Sequence, residues 1–149
     1  MTVWLYPLVA AALGVLLTIQ PLLNAILARS VGNPIGATAI SLLVSFLSAL
    51  AMLLVTGRAA DLGRAIVAPV PWWVFLAGLV GMAFVLGAVV IAPKIGSAAF
   101  FISVVAGQLI GATIADQFGL LGLATRPISL ERLLGLALVL AGAVLVQRG

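Results

Sequence analysis

From Met1 to Ala28 no side chain carries a charge, and a helix needs only about 20 apolar residues to cross the hydrocarbon core of a bilayer. Four further apolar runs of similar length follow, so the chain reads as five spans. Their expected extents are 3–28, 34–57, 71–92, 96–118 and 128–147. Charges and Pro/Gly punctuation mark the breaks: Arg29 to Pro34, Arg58 to Pro71, Pro93 with Lys94, and Gly119 to Ser129. All are short, which predicts antiparallel neighbours. Trp4 and Tyr6 at the first span and Pro71, Trp72 and Trp73 at the third have the character of interfacial anchors. The first run lacks a basic leader and exceeds the roughly 7–15 residues of a signal-peptide core, so it is expected to be retained.

Composition closes the alternatives. Only 7% of the 149 residues are charged, against roughly a quarter in a soluble domain. Ten charged residues cannot supply a polar shell, and the apolar exterior is expected to face lipid. The net charge of +4 comes from seven Lys and Arg scattered singly. With no basic patch there is nothing to bind nucleic acid, and these residues read as headgroup anchors. Cysteine and histidine are both absent, which removes disulfides, thiolate sites, the commonest metal ligand and the commonest general base. No nucleophile with a base and no metal-ligand cluster stands out, so the chain is not read as an enzyme and no cofactor or metal is expected.

An odd number of spans puts the termini on opposite sides of the membrane. The amino-terminal side then holds Arg58, Arg64, Arg126 and Arg132, and the other side Arg29, Lys94 and Arg148. Lys and Arg in short loops set orientation, so four against three gives almost no instruction. Dual topology follows as an expectation, with copies inserted both ways and paired antiparallel. The competing reading is that one or two charges suffice, with Arg132 or Lys94 miscounted because it lies within a helix.

Polar residues inside the spans carry the functional signal. Gln20 and Asn24 are four apart and share one helix face, while Pro21 between them removes a backbone donor and frees the carbonyl near Leu17. Such groups are costly against lipid. Two readings stand side by side: hydrogen bonds to a neighbouring helix, or a solute-facing cavity of the kind Pro-interrupted helices line. Gln108, near mid-membrane in the fourth span, raises the same choice. Ser41 and Ser45 lie in a row with Asn33, Ala37 and Ala49, and packing is the first expectation for that row. Ala99, Ser103, Gly107, Gly111 and Ala115 form a small-residue stripe expected to seat another helix, within the chain or across a dimer. Phe100 or Phe101 could wall a cavity.

Asp116 is expected to be the carboxylate within reach of a span interior. It sits near a helix carboxyl end, which disfavours an anion, so it wants a cation. Arg126 and Arg132 are expected on its side of the membrane, as a structural ion pair or as a proton-coupling group. With no mid-membrane carboxylate to balance an organic cation, a neutral, zwitterionic or weakly anionic substrate fits better.

In this order, Gln20 and Asn24, "GNP" at 32–34, "AP-IG-A" over 92–98 around Lys94, "GQ" at 107–108, "D-FG--G" over 116–122 and "R--G--L---G" over 132–142 resemble the YdcZ-like family of small inner-membrane exporters in the drug/metabolite transporter superfamily. The resemblance spans essentially the whole chain. It implies an all-α, multi-pass protein of the bacterial inner membrane whose five helices are half of a ten-helix transporter made of two inverted repeats. It further implies that such a half works with a second copy as an antiparallel homodimer or with an oppositely oriented relative, while the family's cargo is mostly unassigned. Taken together, the expectation is alternating-access transport of a small molecule. Gln20, Asn24, Gln108, Ser41, Ser45 and Phe100 would contact substrate, and Ser103, Gly107 and Gly111 would serve packing. The rival is a non-transporting helix-bundle subunit supporting a partner, in which every intramembrane polar group is packing glue.

Overall fold

The computed structural model describes residues 5–122 and 124–148; Trp4, the start of the expected first span and Gly149 lie outside the described residues. Six α-helices and two short 3-10 turns account for nearly all of it, and five helical stretches are long and apolar enough to cross a membrane. They are α1 (Leu5–Val31), α2 (Pro34–Val55), the stretch Trp72–Ile95, in which a 3-10 turn (Trp72–Leu76) runs into α4 (Ala77–Ile95), α5 (Ser97–Phe118) and α6 (Leu130–Arg148). Between α2 and the third span the chain forms one more short helix, α3 (Ala60–Val67), where the sequence suggested only a loop. Asp61 explains it: its carboxylate in the first turn bridges Arg58 Nε at 2.8 Å and Arg64 Nη1 at 3.2 Å, an i,i+3 pairing that favours a helical turn.

The helix ends follow local chemistry. Gly32 takes φ 74°, a left-handed conformation that favours glycine, and stops α1. Asn33 then caps α2, its Oδ1 accepting from the Ile35 N–H at 2.8 Å, with Pro34 in the first turn where its missing N–H costs nothing. "GNP" is thus the hinge of an α1–α2 hairpin. Pro93 does not end the third span; α4 continues to Ile95, and Gly96 at φ 86° makes the break. Gly119 closes α5 in the left-handed region, its N–H reaching back to the Ala115 and Asp116 carbonyls. Two bonds then tie the following loop to that helix end: Arg126 N–H to the Asp116 carbonyl at 2.8 Å and Ile128 N–H to Gln117 Oε1 at 2.7 Å. Ser129 Oγ accepts from the Arg132 N–H at 3.3 Å and starts α6.

The chain divides into two compact units, Met1–Val90 and Ile91–Gly149. In the first, α1 packs on α2. The contact is made by small and polar side chains: Ala37 and Thr38 of α2 and Pro21 and Asn24 of α1 are buried. In the second, α5 packs on α6, with Ala99, Phe100, Ala106 and Ala143 buried. Along α4 the buried positions Val85, Ala88, Val89 and Ala92 fall at helical spacing on one stripe. Among the described residues no large side chain is fully buried. Small residues at contacts and large apolar ones outside is the arrangement expected when lipid is the solvent. No span buries more than 17% of its most apolar window within the chain.

Candidate functional site

The α1–α2 hairpin brings four of the expected residues to one place. Gln20, Asn24, Ser41 and Ser45 line a cleft of about 410 Å³ whose other walls are Leu16, Ile19, Leu23, Leu27, Ile40 and Val44. Helix geometry explains the pairing. Asn24 lies seven residues before the end of α1 and Ser41 seven after the start of α2, so at 1.5 Å per residue both sit about 10 Å from the turn. Gln20 and Ser45 are each eleven residues away, hence about 16 Å deep, halfway across a core of about 30 Å. Two amides on one helix therefore face two hydroxyls on the next at matching depths.

Their hydrogen bonding is incomplete. Ser45 Oγ donates to the Ser41 carbonyl of its own helix at 3.0 Å, a back-bond that leaves its lone pairs available. Asn24 is only 6% exposed, and its Nδ2 is shut from solvent with no hydrogen-bond partner. Among the described residues Gln20, half-buried, has none either. α1 runs unbroken through the buried Pro21, which cannot donate to the Leu17 carbonyl one turn back. The cleft is thus an apolar groove holding free amide groups at mid-depth.

The α5–α6 pair treats its polar residues differently. Arg132 Nη2 donates to Asp116 Oδ2 at 2.8 Å, with the two side chains 39% and 27% exposed. Both lie two residues from the loop end of their helices, near the ends of the two spans, where an ion pair costs less than at a span's middle. Arg126 meets Asp116 through its backbone N–H rather than its guanidinium. A cleft of about 360 Å³ opens beside the ion pair, lined also by Thr113, Gly135 and apolar side chains of both helices. Toward the other end Gln147 Nε2 donates to Ser103 Oγ at 2.9 Å, and Ser103 Oγ donates to the Ala99 carbonyl at 2.7 Å.

The small-residue stripe of α5 is split. Ser103 belongs to the α5–α6 contact and Ala99 is buried, but Gly107 and Gly111 are exposed, and among the described residues a Cβ on either would meet no other side chain within 4 Å. Gln108 is exposed beside them, about 15 Å from the loop end of α5, and among the described residues it has no hydrogen-bond partner. Phe100 is buried and meets Phe101 edge to face, with ring centroids 5.3 Å apart. Gln117 and Gln147 also make bonds that their positions in the sequence do not announce. Both are amides at the ends of spans, and the available signal was their nearness to Asp116 and Arg148.

Five apolar helices, contacts built from small residues and polar groups gathered in clefts define a multi-pass helical membrane protein. Residues 5–145 match the family described as "Putative inner membrane exporter, YdcZ". The chain belongs to that family and is accordingly a multi-pass inner-membrane protein. No curated protein and no solved structure matches it.

Proposed function

We propose that the chain is half of a ten-helix exporter, working as an antiparallel dual-topology homodimer that moves a small molecule by alternating access. The observation that carries this reading is the α1–α2 cleft, where unpartnered amides lie among apolar walls about 10 to 16 Å from the turn. Polar groups held there without partners stay costly unless a solute or another chain meets them. The need for a second copy is supported by the α5 face around Gln108. An unpaired amide against hydrocarbon costs several kcal/mol, and the bare backbone at Gly107 and Gly111 lets a partner helix approach closely enough to cover it. The near balance of four basic residues against three agrees with insertion both ways.

In an exact antiparallel dimer the inward-open and outward-open states are the same structure seen from opposite sides. They are then equal in energy without a gradient or bound solute, so the protein needs no built-in bias to alternate. Substrate would cross between copies of α1 and α2, meeting Gln20 and Asn24 once from each subunit. Asp116 and Arg132 would hold α5 to α6 while this happens.

Two measurements test the reading. Gly149→Cys introduces the only thiol in the chain, and a membrane-impermeant maleimide applied to intact and then permeabilised cells should label about half the copies from outside. Uniform labelling from one side refutes dual topology. For transport, the media of cells with and without the protein are compared by untargeted mass spectrometry, with Gln20→Ala and Asn24→Ala as controls. A solute enriched by the wild type and by neither variant supports export through the cleft; indistinguishable media refute export.

A further inference from the structure

The α1–α2 cleft is built to reject charge as well as to accept polarity. Among the described residues none of its lining side chains is ionisable; beyond the two amides and two serines every wall is Leu, Ile or Val. An ammonium or carboxylate entering it would lose its hydration without gaining a counter-charge. The hydrogen-bonding groups are all neutral. Asn24 lines the cleft, and its Nδ2 is enclosed yet meets no acceptor; once the amide turns toward the cleft, a solute oxygen can supply the acceptor the fold withholds. Ser45 has already spent its proton on the Ser41 carbonyl, so toward a solute its Oγ can only accept. Gln20, one turn from Asn24 on the same face, carries an amide with no partner among the described residues and can give and take a bond. A donor at one level and acceptors at the next complement a carbonyl oxygen joined to an N–H.

We infer that the α1–α2 cleft is a binding site for uncharged carboxamide-type solutes, the solute carbonyl accepting from Asn24 Nδ2 and its N–H donating to Ser45 Oγ or Gln20 Oε1. The hydrocarbon part of the solute lies against the Leu and Ile walls. At about 410 Å³ the cleft is at the lower end of the range of small-molecule sites, about 300–1,000 Å³, so the solute is compact. Asn24 reaches it by turning its amide about χ2, a broad and soft torsion. This rests on the exporter reading only in taking the cleft as a solute site. Binding itself requires no transport.

The test uses the full chain in nanodiscs and three probes of nearly one shape: benzamide, benzoate and benzylammonium. The side-chain amide resonances are followed by NMR, those of Asn24 being assigned by their loss in Asn24→Leu. Benzamide is expected to shift the Asn24 resonance and to bind at least tenfold tighter than either charged probe. Asn24→Leu should weaken benzamide at least tenfold while its thermal midpoint stays level or rises, which separates lost recognition from lost folding. Asn24→Asp should turn the preference toward benzylammonium. The inference is overturned if benzamide does not bind, if a charged probe binds the wild type more tightly, or if Asn24→Leu binds benzamide as the wild type does. The excretion comparison reads transport separately. Selective benzamide binding with unchanged media removes export and leaves the site, whereas export with no benzamide binding removes the carboxamide assignment and leaves export.

Discussion

The two helix pairs of this chain handle polar groups in opposite ways. α5 and α6 pair those near the span ends, Asp116 with Arg132, Gln147 with Ser103 and Gln117 with the Ile128 N–H, and leave the exposed Gln108 amide without a partner among the described residues. α1 and α2 bring two amides and two serines to matching depths and leave Asn24 Nδ2 without an acceptor. Paired groups hold helices together, and removing them should cost stability. Unpaired groups at mid-membrane are a cost the fold bears for something else, and removing them should relieve it. Polarity within a span therefore does not by itself mark a site; incomplete pairing inside a cleft does.

Breaking the ion pair should have the largest effect on stability. Asp116→Ala strands Arg132, and the loss should fall between that of an exposed pair and the 3–5 kcal/mol of a buried one, on the order of 1–2 kcal/mol. Reversible unfolding in mixed micelles measures it, and the Asp116→Ala, Arg132→Ala double variant should recover part of the loss. Next, Asn24→Leu should stabilise by about 1 kcal/mol, since an apolar group of similar shape replaces an unsatisfied amide, while the wild-type excretion pattern disappears. A destabilised Asn24→Leu would mean that Asn24 is packing glue, and the contrast between the hairpins would collapse. Gln147→Leu should lose roughly 0.6 kcal/mol, the usual worth of an interhelical hydrogen bond in a bilayer. Combining it with Ser103→Ala should add little, because both remove one bond. The smallest effect is expected at Ser45→Ala, within about 0.5 kcal/mol, because its hydroxyl bonds only its own helix; a larger loss would show that Ser45 holds α1 to α2.

Much of this was legible in the chain itself. The spans follow from charge-free runs, and "GNP" can be read as a stop, a cap and a first-turn proline because each residue acts locally. Gln20 and Asn24 fall on one face by spacing alone. Other features were not legible. Pro93 was expected to end the third span, yet it sits within the last helical turns, and the glycine three residues on makes the break. α3 gives no span signal because an eight-residue helix held by Arg58, Asp61 and Arg64 is far shorter than the roughly 20 residues a span needs. The small-residue stripe of α5 is uniform in sequence, and only its surroundings separate Ser103, bonded to α6, from Gly107 and Gly111, where a Cβ would meet no other side chain within 4 Å among the described residues.

The sequence by itself determined the solvent and the class of fold, because ten charges among 149 residues cannot clothe a soluble domain and backbone polar groups in lipid must close on themselves as helices. It also determined which polar groups would be buried in the membrane. Only the tertiary structure decided which of them find partners. Pairing depends on the level at which two antiparallel helices meet, and that level is set by the lengths of the turns between them: two residues place Asn24 opposite Ser41, and the loop after α5 lets Arg132 rather than Arg126 reach the Asp116 carboxylate.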